Sequence, residues 1–217
     1  MHRLLTTCLL AATLASNARG GALEWSPAQL TARLAPGQEE IALTFHVRNT
    51  GPAPVTINAV EPSCGCTTAA VEPRVIPVGG TAQLHATYRA GGRSGTVHRD
   101  IVVKSDAGRD TVSFAIEHPV WFKLDRPSLV WAPRTPRTEQ TVRLELADGI
   151  AARLDAPRVE KSGAFSARLE ADPTAPGNYL IRVAPLADTS PLFSPIAVPV
   201  AFADGRTATI TLHAALR

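Results

Sequence analysis

The sequence predicts an all-β chain, two tandem antiparallel β-sandwiches behind a signal peptide. Three observations predict it. Apolar and polar residues alternate with period two through a series of short runs. Turn residues separate those runs at the spacing of sandwich strands. Eighteen prolines among 217 residues oppose long helices and suit turns and strand edges.

Residues 1–18 carry the signal pattern: His2 and Arg3, the apolar run Leu4 to Ala15, then the small region Ser16-Asn17-Ala18. The expected cut follows Ala18. The apolar run is too short for a spanning helix, and no later segment is longer, so the mature chain is expected in the periplasm or secreted, not in a membrane. Cys8 leaves with the signal, which puts Cys64 and Cys66 alone in the mature chain.

In the first half, Ile41, Leu43, Phe45 and Val47 point one way and Ala42, Thr44, His46 and Arg48 the other. Asn49-Thr50-Gly51-Pro52 turns the chain, Val55 to Val60 follows, and Pro77 to Gly80 turns it again. Ala82, Leu84, Ala86 and Tyr88 alternate, and Gly91 to Gly95 reads as a hairpin loop. Val97 to Val103 and Thr111 to Ile116 close on Asp106-Ala107-Gly108. The second half repeats the plan with strands at 128–131, 141–146, 152–159, 165–169, 179–183, 196–202 and 207–212. The boundary falls near His118 to Asp125, which gives units of 19–119 and 120–217, with Trp121 and Phe122 packed between them.

Composition narrows the function. A hydrophobic content of 45% fills a core. Loss of residues 1–18 leaves 21 Lys plus Arg against 19 Asp plus Glu, a net charge of about +2 with no basic run interleaved with aromatics. Nucleic acid is therefore not the expected partner. G-x-S-x-G, H-E-x-x-H and the P-loop pattern are missing, so no enzyme is expected.

Ser63-Cys64-Gly65-Cys66-Thr67 is the one chemically committed stretch. On an extended strand, residues 64 and 66 face one side about 6.6 Å apart. That is the far edge of disulfide geometry, and Gly65 allows a tighter backbone. Three readings stay open: a local disulfide, a soft-metal site for Cu(I), or two small side chains that only pack. His46 and His85 lie on outward faces, His98 has no fixed orientation in the pattern, and each reads as a solvated residue.

Phe45 to Gly51 with its Asn49-Thr50-Gly51, then Pro54-Val55-Thr56-Ile57, then Ser63 to Thr67, then Ile76-Pro77-Val78-Gly79-Gly80 resemble the bacterial domain-of-unknown-function family 1573 in order and spacing. The chain departs from that pattern at Val78, where the usual Pro-Gly is split. The resemblance covers about residues 25–118. It implies an immunoglobulin-like sandwich, akin to the Hydin and major-sperm-protein class, in an exported and non-catalytic module. The expected function is that of a binding or scaffold module whose partner is a protein or cell-envelope component. The alternative is a periplasmic Cu(I) or thiol-redox protein using Cys64 and Cys66.

Overall fold

The computed structural model describes residues 21–186 and 190–217, and the expected signal peptide and Cys8 lie outside them. Among the described residues there is no helix long and apolar enough to cross a membrane, and every regular element is a strand.

The first unit contains β1 (Leu23–Ser26), β2 (Gln29–Arg33), β3 (Glu40–Asn49), β4 (Val55–Pro62), β5 (Thr67–Glu72), β6 (Val75–Ile76), β7 (Thr81–Arg89), β8 (Gly95–Ser105) and β9 (Gly108–His118). They form two sheets, ordered β1-β3-β7-β5 and β2-β9-β8-β4-β6. The alternation in β3 decides which face is buried. Leu43, Phe45 and Val47 are buried, while Ala42, Thr44, His46 and Arg48 are exposed. The buried set shares one core with Leu84 and Tyr88 of β7 and with Ile101, Val103, Val112 and Phe114 of the facing sheet. Each such side chain contributes about 1.5–3 kcal/mol by leaving water.

The second unit contains β10 (Phe122–Leu124), β11 (Ser128–Trp131), β12 (Gln140–Leu146), β13 (Ala152–Leu154), β14 (Arg158–Val159), β15 (Phe165–Ala171), β16 (Tyr179–Pro185), β17 (Leu192–Phe202) and β18 (Thr207–Leu216). Its sheets are β10-β12-β16-β15 and β11-β18-β17-β13, with β14 also on β17. Val142, Leu144, Ile181 and Val183 face Val198, Val200, Ile210 and Leu212 in a second core. The chain is thus all-β and immunoglobulin-like in architecture, as expected.

The two units share a device at their first strand. A proline follows β1 and another precedes β11, and in each unit the early strand is divided between the two sheets. In the first unit β1 pairs antiparallel with β3, and after Pro27 β2 pairs with β9. In the second, β10 pairs with β12, and after Pro127 β11 pairs with β18. Proline lacks an N–H for the ladder, so the strand breaks where it changes sheet. The β2–β9 and β11–β18 pairs are parallel, which departs from the purely antiparallel expectation.

Other departures have similar causes. The expected 152–159 strand is two, separated by a segment containing Pro157. Gly91 to Gly95 joins β7 to β8 in opposite sheets, so it arches between sheets and is not a hairpin loop. Trp121 packs edge-on against Phe122 and Phe202, with centroids 4.7 and 5.4 Å away. The Arg206 guanidinium lies 5.1 Å over the Phe202 ring and donates to the Pro36 carbonyl, which joins the two halves of the chain.

Candidate functional site

Ser63 to Cys66 carry the chain from β4, in the five-stranded sheet, to β5, at the end of the facing sheet. The segment is a turn and not an extended run. Its Cα atoms at Cys64 and Cys66 are 5.2 Å apart, and the two sulfurs are bonded as a disulfide. In this state both sulfurs are spent on each other, so a thiolate site for Cu(I) requires the reduced pair. Cys66 packs against the first core.

The flanks of the disulfide are held without it. The Ser63 amide donates to the Asp100 carbonyl at 2.9 Å, and the Asp100 amide donates to Ser63 Oγ at 3.1 Å. Ser113 Oγ donates to Asp100 Oδ1 at 2.7 Å. On the other side, the Cys66 carbonyl accepts from the Arg89 amide at 2.8 Å, and the Thr67 amide donates to the Cys64 carbonyl at 3.3 Å. The buried Thr67 hydroxyl lies 3.5 Å from Cys64 Sγ and 4.0 Å from Cys66 Sγ. The backbone at Gly65 is tighter than an extended strand, as 5.2 Å between the flanking Cα atoms shows. Its φ is not left-handed, and a Cβ there would meet nothing within 4 Å.

Asn49, Thr50 and Gly51 form a separate staple. Asn49 has no solvent exposure. Its Nδ2 donates to the carbonyls of Ala53 at 2.8 Å and Ile76 at 2.9 Å, and its Oδ1 accepts from the Gly51 amide at 2.9 Å. The Thr50 amide donates to the Ala22 carbonyl at 2.8 Å. A Cβ at position 51 would come within 2.9 Å of Ala22 Cβ, so only glycine fits. The Asn49 carbonyl accepts from the Gly79 amide, and the Gly80 amide closes a turn on Pro77. Gly79 has φ of 72° at the third position of that turn, which makes it type II, with Val78 where proline is common. The split Pro-Gly therefore leaves the turn intact.

The two motifs do not converge. Glu40 pairs with Arg89 and Arg48 with Thr81, so the disulfide and the Asn49 staple lie at opposite ends of β3, about 30 Å apart along the strand. His46, His85 and His98 are all exposed, and among the described residues no group of three or more His, Cys, Asp or Glu is placed to hold a metal.

Strand β5 itself was missed by the pattern. Thr-Thr-Ala-Ala-Val-Glu is too short in bulky residues to alternate visibly; the available signal was Thr67 and Val71, buried four residues apart on one face. β5 ends its sheet, paired only with β7. The Arg89 to Cys66 bond fixes the ladder phase: residues 68, 70 and 72 face β7, so the backbone groups of Ala69 and Val71 point outward. The strand in the same place in the second unit, β15, is guarded. Its Arg168 and Glu170 form ion pairs at 2.7 Å with each other, and Glu170 and Glu139 meet Arg182 at 2.8 and 3.4 Å. Arg168 and then Arg182, hydrogen-bonded to Glu170, hold its carboxyl below the usual carboxylate range.

The Asn49 staple, the Ser-Cys-Gly-Cys-Thr crossover and the type II turn thus follow one another in that order within one unit. Residues 23–120 match the family described as Protein of unknown function (DUF1573). This agrees with the resemblance expected over about residues 25–118. No curated protein matches the chain. Among solved structures, a protein of unknown function from Porphyromonas gingivalis W83 is similar at 15% identity and a TM-score of 0.35, over 90% of this chain and 100% of that one. The YadV chaperone is similar at 12% identity and a TM-score of 0.36, over 88% and 99%. The titin tandem A164-A165 is similar at 10% identity and a TM-score of 0.27, over 87% and 92%. In the DUF1573 region, sequence reasoning also missed the buried pair of Tyr88 and His118, whose hydroxyl and Nε2 are 3.0 Å apart. These residues are 30 positions apart, and neither has a local motif.

Proposed function

We propose that this chain is an exported, non-catalytic immunoglobulin-like module that binds a protein of the cell envelope along the free edge of β5. The observation that carries this reading is the contrast between β5 and β15. Exposed edges invite strand addition, and proteins commonly guard them with charge or proline. β15 has its ion pairs, whereas β5 holds no lysine, no internal proline and one charge, Glu72. Its outward Ala69 and Val71 amides and carbonyls suit an added strand, and small neighbours leave room for one. Export is supported by the signal pattern of residues 1–18 and by two cysteines held as a disulfide. The units are 19–119 and 120–217.

The test is affinity capture from the native envelope. Ala69→Pro removes an outward amide and Ala70→Pro an inward one. The expected result is a partner retained by the wild type and lost with Ala69→Pro at a nearly unchanged melting temperature, while Ala70→Pro unfolds more readily. Equal retention by the wild type and Ala69→Pro overturns the reading.

A second reading is thiol exchange or Cu(I) binding at the reduced Cys64–Cys66 pair. What supports it is that the flanks are fixed by hydrogen bonds independent of sulfur, so the thiols of a reduced pair stay close. Free-thiol titration and Cu(I) stoichiometry, with the Cys64→Ser, Cys66→Ser double variant as control, test it. Stoichiometry unchanged in the double variant excludes it.

A further inference from the structure

We propose that the cleft between the two units is a binding site for a neutral saccharide. The cleft encloses about 370 Å³ and is lined by Glu39 and by Arg93 and Ser94 of the β7–β8 arch, by Trp121 and Phe122 of the junction, and by Thr209 of β18. Its volume lies within the range of small-molecule sites, and boundaries between units are a common place for them.

The chemistry of the lining selects the ligand class. Glu39, Ser94 and Thr209 are exposed, and their side chains have no hydrogen-bond partner among the described residues. Arg93 spends Nη1 on the Ala90 carbonyl and keeps its other N–H groups. The cleft therefore offers a carboxylate acceptor, guanidinium donors and two hydroxyls that serve as either. One anion and one cation leave the lining without net charge, which favours neither an anionic nor a cationic ligand. Trp121 and Phe122 add aromatic surface to the lining, and Trp121 is held by T-shaped ring contacts with Phe122 and Phe202. A ligand with many hydroxyls, each both donor and acceptor, and one apolar ring face satisfies all of these groups together. That is the description of a pyranose ring. Groups from both units are required, so the site exists only when the units are joined.

The proposal is independent of β5. The experiment is titration of the full chain with maltotriose, cellotriose and tri-N-acetylchitotriose in turn, followed by tryptophan fluorescence, with thermal melts of every variant. The expected result is a saturable change with at least one of the three. Glu39→Ala and Thr209→Ala each weaken it about tenfold at unchanged melting temperature, as loss of one hydrogen bond to ligand predicts. Absence of a saturable change with all three, or binding unaltered in both variants, overturns the proposal.

Discussion

The Asn49 side-chain amide donates to the Ile76 carbonyl across 2.9 Å and 27 residues of sequence. With the bond from the Gly79 amide to the Asn49 carbonyl, it locks the turn after β3 to the turn before β7. Replacement of Asn49 by Ala removes three hydrogen bonds, to the carbonyls of Ile76 and Ala53 and from the Gly51 amide. Only the bond to Ile76 is buried, and its loss costs about 1–3 kcal/mol; Ala53 is exposed and Gly51 half-buried, so water meets their freed groups. Asn49→Ala is expected to destabilise the chain by roughly 1–3 kcal/mol in urea, with a lower midpoint and an unchanged slope. A loss within experimental error shows that the staple is not structural.

The disulfide predicts the opposite result. A three-residue ring removes little chain entropy, about 1–2 kcal/mol. The bonds of Ser63 to Asp100 and of Arg89 to Cys66 persist without it. The double variant Cys64→Ser, Cys66→Ser is therefore expected to melt within a few degrees of the wild type. A collapse of the fold assigns the disulfide a structural role.

What the sequence made legible and what it hid follow from reach. β3 shows in full because bulky Leu43, Phe45 and Val47 alternate with polar neighbours. The Asn49-Thr50-Gly51 and Cys64-Gly65-Cys66 motifs are local and were visible as such. Their partners, Ile76, Asp100 and Arg89, are far away in sequence and were not. β5 was hidden because small residues alternate without contrast, and β1, β2 and β10 are too short for periodicity to register. The parallel β2–β9 and β11–β18 pairs were hidden because a proline says that a strand breaks, not which sheet its second half joins.

Burial of His118, which meets the Tyr88 hydroxyl, is expected to make stability pH-dependent. Burial lowers the His118 pKa from its ordinary 6.5; charge from Arg93 and Arg99 acts in the same direction, and a backbone hydrogen bond with Arg93 opposes them. The unfolded chain therefore takes up this proton first as pH falls. The contribution is complete above about 6.5 and declines as pH drops from there toward the folded value. Unfolding curves of the wild type between pH 7.5 and 5 are expected to show this loss, and His118→Gln is expected to flatten it. An identical slope in both removes His118 as the cause.

The second core closes without the first. Val142, Leu144, Ile181 and Val183 meet Val198, Val200, Ile210 and Leu212, and Trp121 packs on Phe202 of the same unit. A fragment of residues 120–217 is expected to give a β-type circular dichroism spectrum and one cooperative melt. A disordered fragment shows that the chain folds as one piece.

Amide hydrogen exchange reads strand addition at β5 residue by residue. In the free protein the outward amides of Ala69 and Val71 are expected to exchange fast, while those of Thr68 and Ala70, bonded to β7, exchange slowly. In the complex captured from the envelope, Ala69 and Val71 are expected to become protected. Fast exchange at both in the complex, with protection elsewhere on the surface, contradicts it.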